Sequence, residues 1–168
     1  FDMNDIVTSD QTHTANVRLV TEKDRGNGIT KPRPYTDVDG MITNVPGLVL
    51  ATFYADCVPL YFVDPVHRAI GMSHSGWKGT AGKMGAATVE AMNREFGTEA
   101  KDLVCAIGPS ICQECYEVSV DVADAFKEAF PGHSEEILLD KNPNLLFSHR
   151  ASHGKRGNLG GFIYLRES

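Results

Sequence analysis

The chain reads as an α/β (α+β) sandwich, with mixed β-sheets flanked by helices. Three observations point there. Short β-rich runs cluster between Leu48 and Met72. Two amphipathic helical stretches, Thr80 to Phe96 and Ser119 to Phe130, interrupt further strands at Leu103–Ile107 and Phe162–Leu165. Strands and helices alternate without strict βαβ order, which argues against a doubly wound parallel sheet. The 168 residues suit one domain with a real core.

Taken in order, Ile6-Val7-Thr8 opens a short strand and Asn16 to Val20 forms another. Thr21 to Pro34 is polar and rich in Gly and Pro, as expected of a surface loop. Tyr35 to Asn44 mixes turn residues with apolar ones. Its Asp37, Asp39 and Gly40 match part of a calcium loop, but the distal Glu and other ligand positions are missing, which excludes that reading. Leu48–Tyr54, Leu60–Val63 and Ala69–Met72 are three strands, the last two joined at Asp64-Pro65. In the helix from Thr80, Ala81, Gly85, Val89, Met92 and Phe96 form one stripe, with Thr80 as cap and Gly97 as stop. Leu103–Ile107 reads as a buried strand closed by Gly108-Pro109. Val122, Phe126 and Ala129 mark the second helix, which Pro131-Gly132 ends.

The net charge of −6 argues against general nucleic-acid binding and against an anionic membrane surface. No apolar run approaches membrane-spanning length, and FDMNDIV lacks the basic-then-apolar pattern of a signal peptide. Four Cys without an export signal imply reduced thiols and a cytoplasmic protein.

Two runs carry the chemistry. Cys57 follows the strand ending at Tyr54, and His74 follows the strand ending at Met72. A thiol and an imidazole at neighbouring strand ends are either a nucleophile with its base or two ligands of a soft metal. Each residue alone has an ordinary reading, as a buried small hydrophobe or a hydrogen-bonded strand end. His13 is the best third partner, because the polar turn SDQTHT gives it no apolar reason to be there. Cys112 and Cys115 form a CxxC; with Cys57 set aside only Cys105 is left, so no all-cysteine zinc site can be built, and the pair reads as structural thiols, with a redox role as the alternative because it follows a strand and precedes the helix opened by Ser119. GWKGTAGK falls short of a phosphate loop, since its glycines are misplaced and Met84 stands where Ser or Thr must bind magnesium. Lys78 beside that helix start, and the basic cluster His149, Arg150, Lys155 and Arg156, are the available anion sites.

Gln11-Thr12-His13, Thr36-Asp37-Val38-Asp39-Gly40, Ala55-Asp56-Cys57, His74-Ser75-Gly76-Trp77-Lys78-Gly79, Ile107-Gly108-Pro109 and Cys115-Tyr116-Glu117-Val118 resemble, in order, the motifs of the YfiH family. Phe147-Ser148-His149-Arg150 with Gly157-Asn158-Leu159 resembles its C-terminal motif. This is also called the multicopper polyphenol oxidase or laccase-domain family. The resemblance implies a fold similar to the cytotoxic necrotizing factor catalytic domain. It implies a zinc site on His13, Cys57 and His74, and a purine nucleoside phosphorylase accepting adenosine, inosine and methylthioadenosine, with adenosine deaminase activity. Nucleoside and phosphate are then the partners, with Arg150 first, then Lys78 and His149, as phosphate ligands. The alternatives are a copper-dependent polyphenol oxidase and a metal-free Cys-His amide hydrolase acting on peptidoglycan precursors. Against the pattern, N-terminal strands are missing before Phe1 and a segment is missing near residues 141–142, so residues 1–168 read as one shortened domain. Nothing in the sequence fixes the oligomeric state.

Overall fold

The computed structural model describes residues 2–112, 115–116, 118–137 and 159–165. Eight strands and three α-helices are described: β1 (Ile6–Thr8), β2 (Val17–Leu19), β3 (Gly40–Thr43), β4 (Val49–Tyr54), β5 (Val58–Asp64), β6 (Ala69–Ser75), α1 (Trp77–Ala81), α2 (Met84–Phe96), β7 (Val104–Ile107), α3 (Val120–Ala129) and β8 (Leu159–Tyr164). They form two mixed sheets. The smaller has the order β1-β4-β8, with β1 parallel and β8 antiparallel to β4. The larger has the order β2-β3-β6-β5-β7, parallel only at β2–β3.

Strand period explains the layers, because alternate side chains face opposite sides of a sheet. Met41, Ile70 and Met72 from the larger sheet pack with Val7, Leu50 and Tyr54 from the smaller one. Ile42, Phe62 and Ala69 point the other way and pack against Ala91 and Met92 of α2. The result is a sheet–sheet–helix sandwich, as the sequence implies. Gly71 permits the close approach of α2: a Cβ there would lie 3.1 Å from Met92 Sδ and 3.2 Å from Thr88 Cγ2. The period also assigns His74 to the face between the sheets, with Ile70 and Met72, while Ser73 faces α2 and meets Thr88 Oγ1 at 2.7 Å.

Four expectations need correction. The single helix from Thr80 is two helices. Gly76 is the N-cap of α1, and the chain breaks at Gly82-Lys83, where Lys83 adopts φ 59°. The buried face of α2 is Met84, Thr88, Ala91 and Met92; Val89 and Phe96 are half-buried and pack against the same cluster, so the expected stripe flanks this face rather than centring it. β7 is not a buried strand: it lies at the edge of the larger sheet, with Val104 and Ile107 exposed. His74 lies inside β6 rather than beyond it. No helix among the described residues is long and apolar enough to cross a membrane.

Candidate metal centre

The loop before β2 presents His13 in an uncommon backbone state. Gln11 and His13 both have positive φ, at 57° and 67°. Such a conformation persists in non-glycine residues only where neighbours hold it. Here the Gln11 amide clamps the backbone of Phe53, donating to its carbonyl at 2.5 Å and accepting from its N–H at 2.9 Å. The N–H groups of Asp10 and Gln11 both donate to the Val38 carbonyl. The carboxylate of Asp39 accepts from the N–H groups of His13 and Thr14, at 3.1 and 3.0 Å.

Asp39 also holds the second histidine. It is fully buried, and its Oδ1 lies 2.8 Å from His74 Nδ1. Its carbonyl accepts the His74 N–H at 2.8 Å. Nδ1 is thereby occupied, and Nε2 is the nitrogen left for other chemistry. The His74 ring is buried, 5.5 Å from the Tyr54 ring and 5.0 Å from the exposed His13 ring, which stands nearly perpendicular to it. Cys57 completes the group from the half-buried turn between β4 and β5. One ligand atom from each of His13, Cys57 and His74 lies within 4.8 Å of the other two.

Burial opposes a charge on His74, but its bonds to Asp39 and Cys57 win and push its pKa up to about 9. His13 is pushed down, by burial first and then by the neighbouring His74. Burial likewise opposes ionisation of Asp39, yet the bonds from His74 and from the Thr14 and His13 amides hold it below the usual carboxylate range. Burial raises Tyr54, which stays a neutral phenol.

The residues fit a soft or borderline metal. Two imidazoles and one thiolate are an ordinary three-protein-ligand set with an open fourth position. A His held through Nδ1 by a carboxylate is the outer-shell arrangement that such ligands commonly have. Gly76 leaves the space free: a Cβ there would lie 2.8 Å from His13 Cδ2 and 3.1 Å from Cys57 Sγ. Among the described residues this is the one such trio. Lys78 is exposed on α1, with Nζ 5.6 Å from the Trp77 ring centre, and near enough to depress His13. His149 and Arg150 lie outside the described residues. Asp39, Gln11 and Gly76 had no site role in the sequence reading. The D-x-D-G pattern entered as a failed calcium loop and as one of the family motifs, with no role at the site attached to it.

A family model described as multi-copper polyphenol oxidoreductase laccase matches residues 1–142. The chain belongs to this family. It is the YfiH family of the sequence resemblance, because a solved structural neighbour is the YfiH protein of Bacillus licheniformis. The chain matches that structure with TM-score 0.80 and 32% identity, over 98% of this chain and 76% of that one. YlmD of Geobacillus stearothermophilus matches with TM-score 0.80 and 30% identity, over 98% and 75%. Among curated proteins, purine nucleoside phosphorylase YlmD of Bacillus subtilis (strain 168) is 33% identical over 204 residues, covering 99% of this chain and 73% of the relative. Adenosine deaminase RL5, from an unknown prokaryotic organism, is 39% identical over 129 residues, covering 76% of this chain. The match spans about half of that deaminase, 49%. The two curated relatives are named as enzymes acting on nucleosides, and the His-Cys-His group fits a metal.

Proposed function

We propose that this protein is a zinc-dependent purine nucleoside phosphorylase, acting on adenosine, inosine and methylthioadenosine, with adenosine deaminase activity. The convergence of His13, Cys57 and His74 around one point, with His74 held by Asp39, carries the proposal. The names of two relatives supply the reaction class. When bound, zinc supplies Lewis acidity without redox chemistry. The chain's own residues do the rest. Asp39 fixes the His74 ring and keeps its Nδ1 engaged. His13, kept largely neutral, offers a lone pair. Phosphorolysis further needs a cation to bind phosphate beside the anomeric carbon. Arg150 is proposed for that role because its planar fork matches a phosphate, with Lys78 second and His149 third.

The copper oxidase reading is weaker, since electron transfer to oxygen by a multicopper enzyme needs several ligand sets. Among the described residues there is one trio, and the sequence contains no HxH motif. One observation does favour a second reading. Cys57, His74 and Asp39 follow the thiol–imidazole–carboxylate order of a nucleophilic triad, so the metal-free amide hydrolase remains the rival. We also propose a cytoplasmic single domain shortened near residues 141–142. The alignment to the Bacillus subtilis relative is 204 residues long against 168 in this chain, which supports that shortening.

The test begins with metal analysis of protein purified without added metal, then an assay with adenosine and phosphate. Cys57→Ser should lose metal, and phosphate-dependent adenine release should fall by orders of magnitude. Arg150→Ala should keep metal and mainly raise the phosphate concentration needed. Adenine released equally fast without phosphate would mean hydrolysis, and inosine as sole product would mean deamination. No product from zinc-loaded protein would remove the nucleoside reading and leave the amide hydrolase and a non-catalytic, metal-stabilised interaction domain.

A further inference from the structure

The CxxC pair has a geometry that spacing alone did not reveal. Cys112 Sγ and Cys115 Sγ lie 2.7 Å apart, in direct contact. The backbone explains why. The Cys115 N–H donates to the Cys112 carbonyl at 3.1 Å, which draws the two residues together. A backbone bond between residues three apart goes with Cα atoms within about 7 Å of each other. A disulfide needs about 4.4–6.8 Å, so closure calls for little backbone movement. Cys112 is exposed and Cys115 is half-buried. A reagent therefore reaches one sulfur first, with the other directly behind it.

The same segment is tied to the candidate metal centre. The Ile111 N–H donates to the Asp56 carbonyl at 3.1 Å, and the Gly108 N–H donates to the Pro59 carbonyl at 2.9 Å. These two bonds grip the chain on either side of Cys57. A bridge between Cys112 and Cys115 would act one residue from the first of them.

We propose that Cys112 and Cys115 are a redox-active dithiol that closes to an intramolecular disulfide by exchange with a low-molecular-weight disulfide, and that closure restrains the turn bearing Cys57. The Cys112 thiolate attacks one sulfur of the reagent, forming a mixed disulfide and releasing one thiolate. Cys115 sulfur then attacks the Cys112 sulfur and displaces the second thiolate. The two cysteines lose two electrons, the reagent gains them, and the two thiol protons end on the two released thiols.

The probe is oxidised glutathione, equilibrated with the whole chain in graded ratios to its reduced form. Remaining thiols are trapped with an alkylating reagent and located by peptide mass spectrometry. Cys112 and Cys115 should vanish together as alkylation sites, and Cys105 should stay reactive. Cys115→Ser should halt at a glutathione adduct on Cys112. Alkylation of both thiols even in fully oxidised glutathione, or a bridge from either one to Cys57 or Cys105, would overturn the proposal. The restraint is read separately, as the alkylation rate of Cys57 in oxidised and reduced protein. It should slow about threefold or more on closure, because local opening of the turn is suppressed. An unchanged rate would overturn the link to the metal centre.

Discussion

Gly76→Ala would place a methyl group 2.8 Å from His13 Cδ2 and 3.1 Å from Cys57 Sγ. The backbone itself raises no objection. Gly76 has φ −75° and ψ −177°, an extended conformation that any residue adopts. The effect is therefore steric and local. Non-bonded carbon atoms settle at about 3.5–4.0 Å, so His13 must retreat by about 1 Å and Cys57 by somewhat less. His13 is exposed and Cys57 half-buried, so His13 makes the larger movement. Overpacking of this size costs about 1–3 kcal/mol. If the strain appears only when the trio closes on a metal, affinity falls by about 5- to 150-fold. Competition with a chromogenic chelator measures that affinity, and thermal unfolding without metal checks the fold. Gly85→Ala is the control. Its new Cβ would meet only Leu60 Cδ1, at 3.9 Å, and near the start of α2 it should leave affinity unchanged while adding up to about 1 kcal/mol of stability. A Gly76→Ala protein that binds zinc as tightly as the parent would show that His13 and Cys57 do not close on one ion.

Asp39→Asn keeps the size of the side chain but removes the charge that holds His74; metal affinity should fall about 10- to 100-fold in the same titration, and parental affinity would refute the positioning role. Gln11→Ala removes both bonds to the Phe53 backbone and should lower stability by about 1–2 kcal/mol in urea unfolding, with no change in midpoint counting against the clamp. The buried carboxylate of Asp64 gives a pH prediction. Burial opposes its charge, but the Thr98 side chain, the amides of His67 and Val66 and the His67 ring together prevail, lowering it to about 2. A carboxyl more acidic in the folded than in the unfolded state stabilises above its unfolded value near 4, and that contribution is lost as pH falls toward 2. Asp64→Asn should remove on the order of 1–2 kcal/mol at pH 6, after discounting for screening, and little at pH 2; an equal loss at both values would point to packing instead.

Much of the centre was legible because its residues sit at the ends of strongly patterned segments. The apolar runs before Cys57 and around His74 announce β4 and β6, and period-2 alternation then sends His74 between the sheets. His13 was legible for the opposite reason, as an imidazole in a turn without apolar company. The break at Lys83 was not. A stripe with three- and four-residue steps fits a continuous helix equally well, and only Gly82 hinted at the interruption. β7 misled because Leu103–Ile107 has the composition of a central strand, whereas its sheet position leaves it at an edge. The role of Asp39 was hidden because its partners lie in the loop at residues 12–14 and in β6, and spacing within D-x-D-G carries no record of them.

That carboxylate explains how three ligands so far apart in the chain come to one point. Asp39 precedes β3, where Gly40 pairs with Ser73 of β6. The register sets Asp39 alongside His74, so its carbonyl takes the strand N–H and its carboxylate takes the ring. The same carboxylate collects the amides of His13 and Thr14, which draws the left-handed turn onto the sheet. Cys57 needs no such help, because Val58 pairs with Ser75 and Pro59 with His74 in the β5–β6 ladder. Two ligands are thus placed by strand register, and the third by a buried charge bound to one of the other two. Removing that charge should therefore do more than lower the basicity of His74. It should also release His13, so the combined Asp39→Asn and His13→Ala loss of metal affinity should be clearly less than the sum of the single losses.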